Sequence, residues 1–437
     1  MRRIYLDNAA ATPVCEGALR AMTATAKKFA GNPSAIHKEG RMVRAVLEGA
    51  RAEIAKELVA HPDEVIFTSG ATESNNMALQ CVIRAAHARG VARPHIIISA
   101  IEHPSVLETV RSLAGEAVRV EILPVDGRGL VNLRELRKLI TPETVLVSVM
   151  YANNEIGTIE PIADIAKEIR HARKLNGNAY PYFHTDAAQA ANYLDLNVAR
   201  LGVDMMTLSS GKTYGPRGVG ALFVKRGVKL NPLMHGGEHE GGRRPGTESV
   251  ALAVGFATAL AEARRVSAKE FKRIQKLRDT LASKILKKVS GTSVNGLLEH
   301  IELQNSTLPR YCEVRSNPAP IDCHVGVPPR NDGKHDLIFQ NMHSLPNILN
   351  ISIDGVESDA LVLYLDAVGV AVSGKSACKS GSSESSHVIL AVGGKGEGVV
   401  RFSLGRETVS ADVIHVIKEL ARIVPLLRNV RTQSDAI

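Results

Sequence analysis

From about residue 40 to residue 265 the chain alternates short apolar runs with Ala-rich amphipathic stretches, and this alternation restricts the fold more than any other feature. Seven runs read as strands: Val65–Thr68, His95–Ser99, Val118–Leu123, Val145–Met150, Tyr182–Thr185, Met205–Leu208 and Ala221–Val224. The stretches 72–89, 132–140 and 161–175 between them carry helical spacing. Strand–helix alternation implies βαβ units, hence an α/β fold with a mostly parallel sheet and helices on both faces. In such sheets ligands bind beyond the carboxyl ends of the strands. Past residue 265 the pattern changes. Helices are expected at 249–265 and 269–289, then strands at 348–353, 370–372 and 399–404, with helices at 358–368 and from 410 to about 428. This reads as a smaller α+β domain. Residues 304–346 hold six prolines and little periodicity, and read as an insertion.

Length and composition narrow the class. At roughly 100–200 residues per domain, 437 residues suggest two or three domains. With 44% hydrophobic and 23% charged residues, the chain is neither disordered, nor collagen-like, nor a disulfide miniprotein. No apolar run approaches the roughly 18 residues of a membrane helix. The opening Met1-Arg2-Arg3 meets Asp7 without the apolar segment of a signal peptide. A soluble cytoplasmic protein is the expectation, with no membrane partner. The net charge of +9 is spread without a Lys/Arg block, Trp is absent and aromatics are only 4%. The charge therefore reads as solubilising, and direct nucleic-acid binding is not expected. Five cysteines without a CxxC pair speak against a disulfide framework and a four-cysteine zinc site, and leave room for one reactive thiol.

Four segments carry the chemistry. Thr68-Ser69-Gly70-Ala71-Thr72-Glu73-Ser74-Asn75 joins a strand to a helix, where exposed N–H groups and the helix dipole form a phosphate cup; the same residue types also serve as an ordinary N-cap. His184-Thr185-Asp186-Ala187-Ala188-Gln189 lies at a strand end, where Asp186 either holds a proton on a heterocyclic nitrogen or caps a turn. Ser209-Ser210-Gly211-Lys212-Thr213-Tyr214-Gly215-Pro216 sets a lysine between Gly-rich turns at a strand end. A desolvated lysine there is nucleophilic and suited to a Schiff base, whereas a solvated one is a plain loop residue. Ser376-Ala377-Cys378-Lys379-Ser380-Gly381 surrounds a cysteine with small, polar and basic residues that favour its thiolate.

In order and spacing these segments resemble cysteine desulfurases of the NifS/IscS type, pyridoxal-phosphate enzymes of the class V aminotransferase group. The resemblance runs from Tyr5-Leu6-Asp7-Asn8-Ala9-Ala10-Ala11-Thr12 to about residue 428, outside the insertion. It includes Gly31-Asn32-Pro33-Ser34, Glu102-His103, Asn153-Asn154-Glu155-Ile156-Gly157 and Arg401-Phe402-Ser403-Leu404-Gly405-Arg406. It implies the fold-type I architecture of pyridoxal-phosphate transferases. A large domain with a seven-stranded sheet would span 16–262, a small domain 263–437, and residues 1–15 would pack with the small domain.

The resemblance also implies roles. Lys212 would carry the cofactor and later move the substrate α-proton. Asp186 would pair with the pyridine nitrogen. His103 would stack on the ring and assist proton transfer, and Gln189 would bond the ring hydroxyl. Ala71, Thr72 and Ser209 would hold the phosphate, with Thr247 reaching in from a second subunit of a homodimer. Arg401 would clamp the substrate carboxylate, Asn154 would lie beside the substrate, and Cys378 would take the sulfur.

The implied function is conversion of L-cysteine to L-alanine, with sulfur passing as a persulfide to acceptor proteins of iron–sulfur assembly or tRNA thiolation. A selenocysteine lyase or a class V aminotransferase is the neighbouring reading, although a plain aminotransferase needs no thiol. A non-catalytic basic RNA- or protein-binding scaffold is the reading from another class, and intact Lys212, Asp186, His103 and Cys378 oppose it. Two departures stand out: Gly211 occupies a position where the family usually has His, and Lys375 one where Gly is common. In the insertion, Cys312, Cys323, His324, His335 and His343 lack CxxC or HxxxH spacing, so no metal is expected.

Overall fold

The computed structural model describes residues 3–115, 117–298, 343–374 and 385–434. In chain order the elements are β1 (Ile4–Tyr5), α1 (Glu16–Lys28), α2 (Lys38–Leu58), β2 (Val65–Thr68), α3 (Ala71–Ala88), β3 (His95–Ser99), α4 (Pro104–Leu113) and β4 (Arg119–Leu123). Next come α5 (Leu133–Leu139), β5 (Thr144–Ser148), α6 (Ile162–Asn176), β6 (Tyr182–Asp186), α7 (Val198–Leu201), β7 (Met205–Ser209), β8 (Gly220–Val224) and α8 (Val250–Lys288). The chain ends with β9 (Thr292–Val294), β10 (Ile348–Ile353), α9 (Ser358–Ala367), β11 (Val370–Ala371), α10 (His387–Ala391), β12 (Val399–Ser403) and α11 (Ser410–Ser434).

The seven strands expected from the apolar runs form one sheet, ordered β2-β8-β7-β6-β5-β3-β4. All neighbours are parallel except β8, which runs antiparallel to both β2 and β7. Successive strand residues face opposite sides. Phe67, Ile97, Val147, Phe183 and Met206 therefore pack with α2, α6 and the start of α8. Ile66, Ile96, Ile98, Leu146 and Met205 pack on the other face with α3 and α4. Burial on both faces explains why these strands read as continuous apolar runs rather than alternating ones.

A second core gathers β10, β12, α11 and the end of α8, including Ile274, Leu281, Ile351, Phe402, Val416 and Leu420. Ile4 and Leu6 join this core, and β1 pairs in parallel with β11. The two helices expected at 249–265 and 269–289 are one helix of 39 residues. Nothing between them breaks it. Val266-Ser267-Ala268 contains neither Gly nor Pro, and the Ser267 hydroxyl is satisfied by the carbonyl of Arg264 at 3.0 Å. The helix passes from one core to the other between Phe271 and Ile274, and the expected domain boundary at 262/263 falls inside it. Helices α1 and α2 lie where the sequence reading set no individual element.

One buried ion pair fixes the loop before α8. Arg51 of α2 donates to both Glu240 carboxylate oxygens at 2.6 and 2.8 Å and to the carbonyl of Val65. Glu240 also accepts the N–H of Phe67 at 2.9 Å. Removing one partner of a buried pair strands the other charge, which costs about 3–5 kcal/mol. Glu240→Ala should therefore destabilise the protein by about that amount in urea denaturation. A change below about 1 kcal/mol would place the pair among inconsequential surface contacts.

Candidate active site

The carboxyl ends of β2, β6 and β7 converge on a cavity of about 310 Å³. Ala71, Thr72, His103, Asn154, Asp186, Gln189, Ser209, Lys212 and Arg401 all line it, together with Gly70, Met150 and the carbonyl-bearing Ala9 and Ala10. Of the site residues read from sequence, Thr247 lies outside this cavity and is exposed. Lys375 and Cys378 lie outside the described residues, as do Cys312, Cys323, His324 and His335 of the insertion. Among the described residues no group of His, Cys, Asp and Glu is arranged to hold a metal ion. No helix of the described residues is long and apolar enough to cross a membrane.

The floor on the β2 side is the first turn of α3. Gly70 precedes it with φ +155°, a conformation open to glycine and strained for other residues, and no side chain caps the helix. The first N–H groups of a helix have no intrahelical partners, so this uncapped turn presents donors and positive potential to the cavity. Gly220 of β8 permits the arrangement: a Cβ there would sit 2.8 Å from the Gly70 backbone.

The β6 side supplies the acid. Asp186 is 5% exposed at the strand's end. One carboxylate oxygen accepts the N–H of Ala188 at 2.9 Å and the other the Asn75 amide at 2.7 Å. Beneath it, His184 bridges Ser148 of β5 and Thr207 of β7. Burial brings the His184 pKa down to about 4, so it is a neutral structural tie across three strands near neutral pH. Glu102 is also fully buried, accepting from Ser99 Oγ at 2.6 Å and the N–H of Met150 at 2.7 Å. Burial pushes its pKa up to about 8.

The remaining side is built from distant segments. Lys212 Nζ donates to the carbonyl of Ala9 at 2.9 Å and also bonds that of Ala10. Gln189 Nε2 donates to the same Ala9 carbonyl at 2.9 Å. Arg401 of β12 is 2% exposed and donates to Asp7 at 2.6 Å and to the carbonyl of Asn154 at 2.9 Å. Its Nε has no partner among the described residues. Asp7, Asn75 and Ser105 are the functional neighbours that the sequence reading left without a role. Asp7 and Asn75 do stand inside matched motifs, and that was the available signal.

These residues fit the pyridoxal phosphate that the resemblance implies. The uncapped turn at Ala71–Thr72 suits a phosphate, the buried Asp186 suits a heterocyclic nitrogen, and the Lys212 amine lines the same cavity, bonded to the Ala9 and Ala10 carbonyls.

Comparison with known proteins agrees with this architecture. The family described as aminotransferase class-V matches residues 4–308. The chain is 39% identical over 432 residues to the cysteine desulfurase IscS of Dictyoglomus turgidum, covering 98% of this chain and 96% of that one. It is 35% identical to the cysteine desulfurase NifS of Azotobacter vinelandii, covering 98% and 94%. Among solved structures, a NifS-like protein superposes with a TM-score of 0.80 at 32% identity, over 97% of this chain and all of that one. SspA in complex with cysteine does so at 0.69 and 30% identity, over 93% and 100%. On these likenesses the chain belongs to the class-V aminotransferase family, within its cysteine desulfurases of the NifS and IscS type.

Proposed function

We propose that this pyridoxal-phosphate-dependent cysteine desulfurase works from the cavity around Lys212, with the sulfur leaving L-cysteine for Cys378 and L-alanine remaining. The observation that carries the reading is the convergence of Lys212, Asp186, His103 and Arg401 on one cavity from four separate segments of the chain. When bound, the cofactor supplies an electron sink that eases cleavage of the C–S bond. Ala71, Thr72 and Ser209 hold its phosphate, Asp186 its ring nitrogen and Gln189 its ring hydroxyl. His103 covers the ring.

Arg401 binds the substrate carboxylate. Asp7 and the Asn154 carbonyl aim its guanidinium, and Nε is a donor still to be satisfied. Lys212 holds the cofactor and moves the α-proton. Cys378 attacks the substrate sulfur as a thiolate, so the chain itself becomes the carrier.

The flanks of the Cys378 segment support that role. Before it, Ser373 exchanges backbone hydrogen bonds with Arg401 at 2.7 and 3.3 Å. After it, Ser386 Oγ donates to Glu155 at 2.5 Å and His387 Nε2 to the carbonyl of Glu102 at 2.9 Å. Two of the other cysteines are poor nucleophiles. Cys81 is buried and its thiol is pushed up to about 11, and burial also raises the pKa of Cys15. Exposed Thr247 suits completion of a second copy's cavity in a homodimer, and the sulfur acceptors are proteins that reach the Cys378 segment.

Lys212→Ala should abolish the visible absorbance of the bound cofactor and all alanine production; turnover in the variant would remove Lys212 from the chemistry. Asp186→Asn should keep the cofactor yet slow turnover about ten- to a hundredfold, the worth of one hydrogen bond to a charged group. An unchanged rate would mean that another group serves the ring nitrogen. Cys378→Ala should still bind cofactor and substrate but release no alanine. In the wild type, mass spectrometry after incubation with L-cysteine should find one added sulfur on the Cys378 peptide. Added sulfur on Cys312 or Cys323 instead would overturn the assignment.

A further inference from the structure

A chain of hydrogen bonds runs through the cavity wall from Asp186 to His103. Asn75 Nδ2 donates to Asp186 Oδ2 at 2.7 Å and to Ser105 Oγ at 2.8 Å. Ser105 Oγ lies 2.8 Å from His103 Nδ1, and the backbone N–H of Ser105 donates to the same nitrogen at 3.1 Å. Asn75 and Ser105 are both buried.

Each proton in this chain can be placed from donor and acceptor inventories. A carboxylate only accepts, so Asn75 must turn its NH₂ toward Asp186; the flipped amide would set oxygen against oxygen. The second amide proton then occupies a lone pair of Ser105 Oγ. The single hydroxyl proton of Ser105 is left to point at His103 Nδ1. A backbone N–H, which can only donate, points at that nitrogen too. Nδ1 is thus an acceptor twice over, and the ring proton resides on Nε2. Asn75 Oδ1 has no partner among the described residues. A buried acceptor is left unsatisfied while the amide keeps the one orientation that serves Asp186 and Ser105 together.

We propose that Asn75 and Ser105 are positioning residues that lock His103 as a neutral imidazole with its proton on Nε2, so that His103 serves the reaction as a hydrogen-bond donor and the α-proton is left to Lys212. The lock is a property of the protein, while its consequence for proton transfer rests on the desulfurase reading. The surroundings act in the same direction. Burial holds the His103 pKa below its usual range, and the charges of Lys212 and His387 add to this against the opposing Asp186.

The test is nitrogen NMR on the cofactor-loaded protein labelled with ¹⁵N-histidine, with His103 assigned by the signals lost in His103→Gln. The expected result near neutral pH is a pyridine-type Nδ1 and a pyrrole-type Nε2. A protonated Nδ1, or two averaged signals, overturns the lock in the wild type without any variant. Ser105→Ala removes one donor to the neutral ring and should raise the His103 pKa by about half to one pH unit. Ser105→Thr, which keeps the hydroxyl, should restore it. Asn75→Ala frees that hydroxyl to turn and should raise the pKa in the same sense. A His103 pKa unmoved in both alanine variants overturns the positioning role. A pyridine-type Nδ1 in a protein that does not desulfurate L-cysteine would leave the lock standing and remove only the functional reading.

Discussion

The cavity around Lys212 exists because the first dozen residues hold the smaller core and the large sheet at once. Leu6 exchanges backbone hydrogen bonds with Ala371 and Ser403 at 2.9 and 2.7 Å, which seats the segment on the smaller core. Three residues later the same segment faces the sheet. The Ala9 carbonyl receives both Lys212 and Gln189, and the N–H of Thr12 reaches the carbonyl of Gly211 at 3.0 Å. Between these contacts, Asp7 meets Arg401. Arg401 could not otherwise sit 2% exposed, since a buried guanidinium without a counter-charge is strongly unfavourable. The segment thus decides where Arg401 stands relative to Lys212.

The polar interior follows one pattern: buried groups that would be charged in water are either paired or neutral. Arg51 and Arg401 have carboxylate partners. His184 is neutral near neutral pH, and Glu102 and Glu160, whose pKa values burial raises to about 8, remain largely protonated there.

The sheet was legible because β-branched runs such as His95–Ser99 are buried on both faces and therefore read as unbroken apolar strings. The cavity-lining residues Asp186, Ser209 and Lys212 were legible because each sits in a short motif at or just past a strand end. The single helix α8 was not. Its apolar residues serve two cores, Phe271 in the first and Ile274 in the second, and only that packing shows one continuous helix. The pairing of Asp7 with Arg401 joins residues 394 apart, a distance over which local pattern has no reach. Asn75 resembled any polar residue near a helix start until the fold set its amide between Asp186 and Ser105.

The seating of Leu6 against Ser403 has a consequence for synthesis. The two are separated by 397 residues. At roughly 5–20 residues per second, about 20–80 s pass between their emergence from the ribosome. For most of that interval Ile4 and Leu6 lack the strands that bury them, while β2 through β8 have all emerged by residue 224. A chain that has emerged as far as β8 therefore has all the strands beneath Asp186 and Lys212 before the strands that bury Ile4 and Leu6 exist. The hydrogen bonds of this segment to β12 can form only after every strand of the large sheet has emerged.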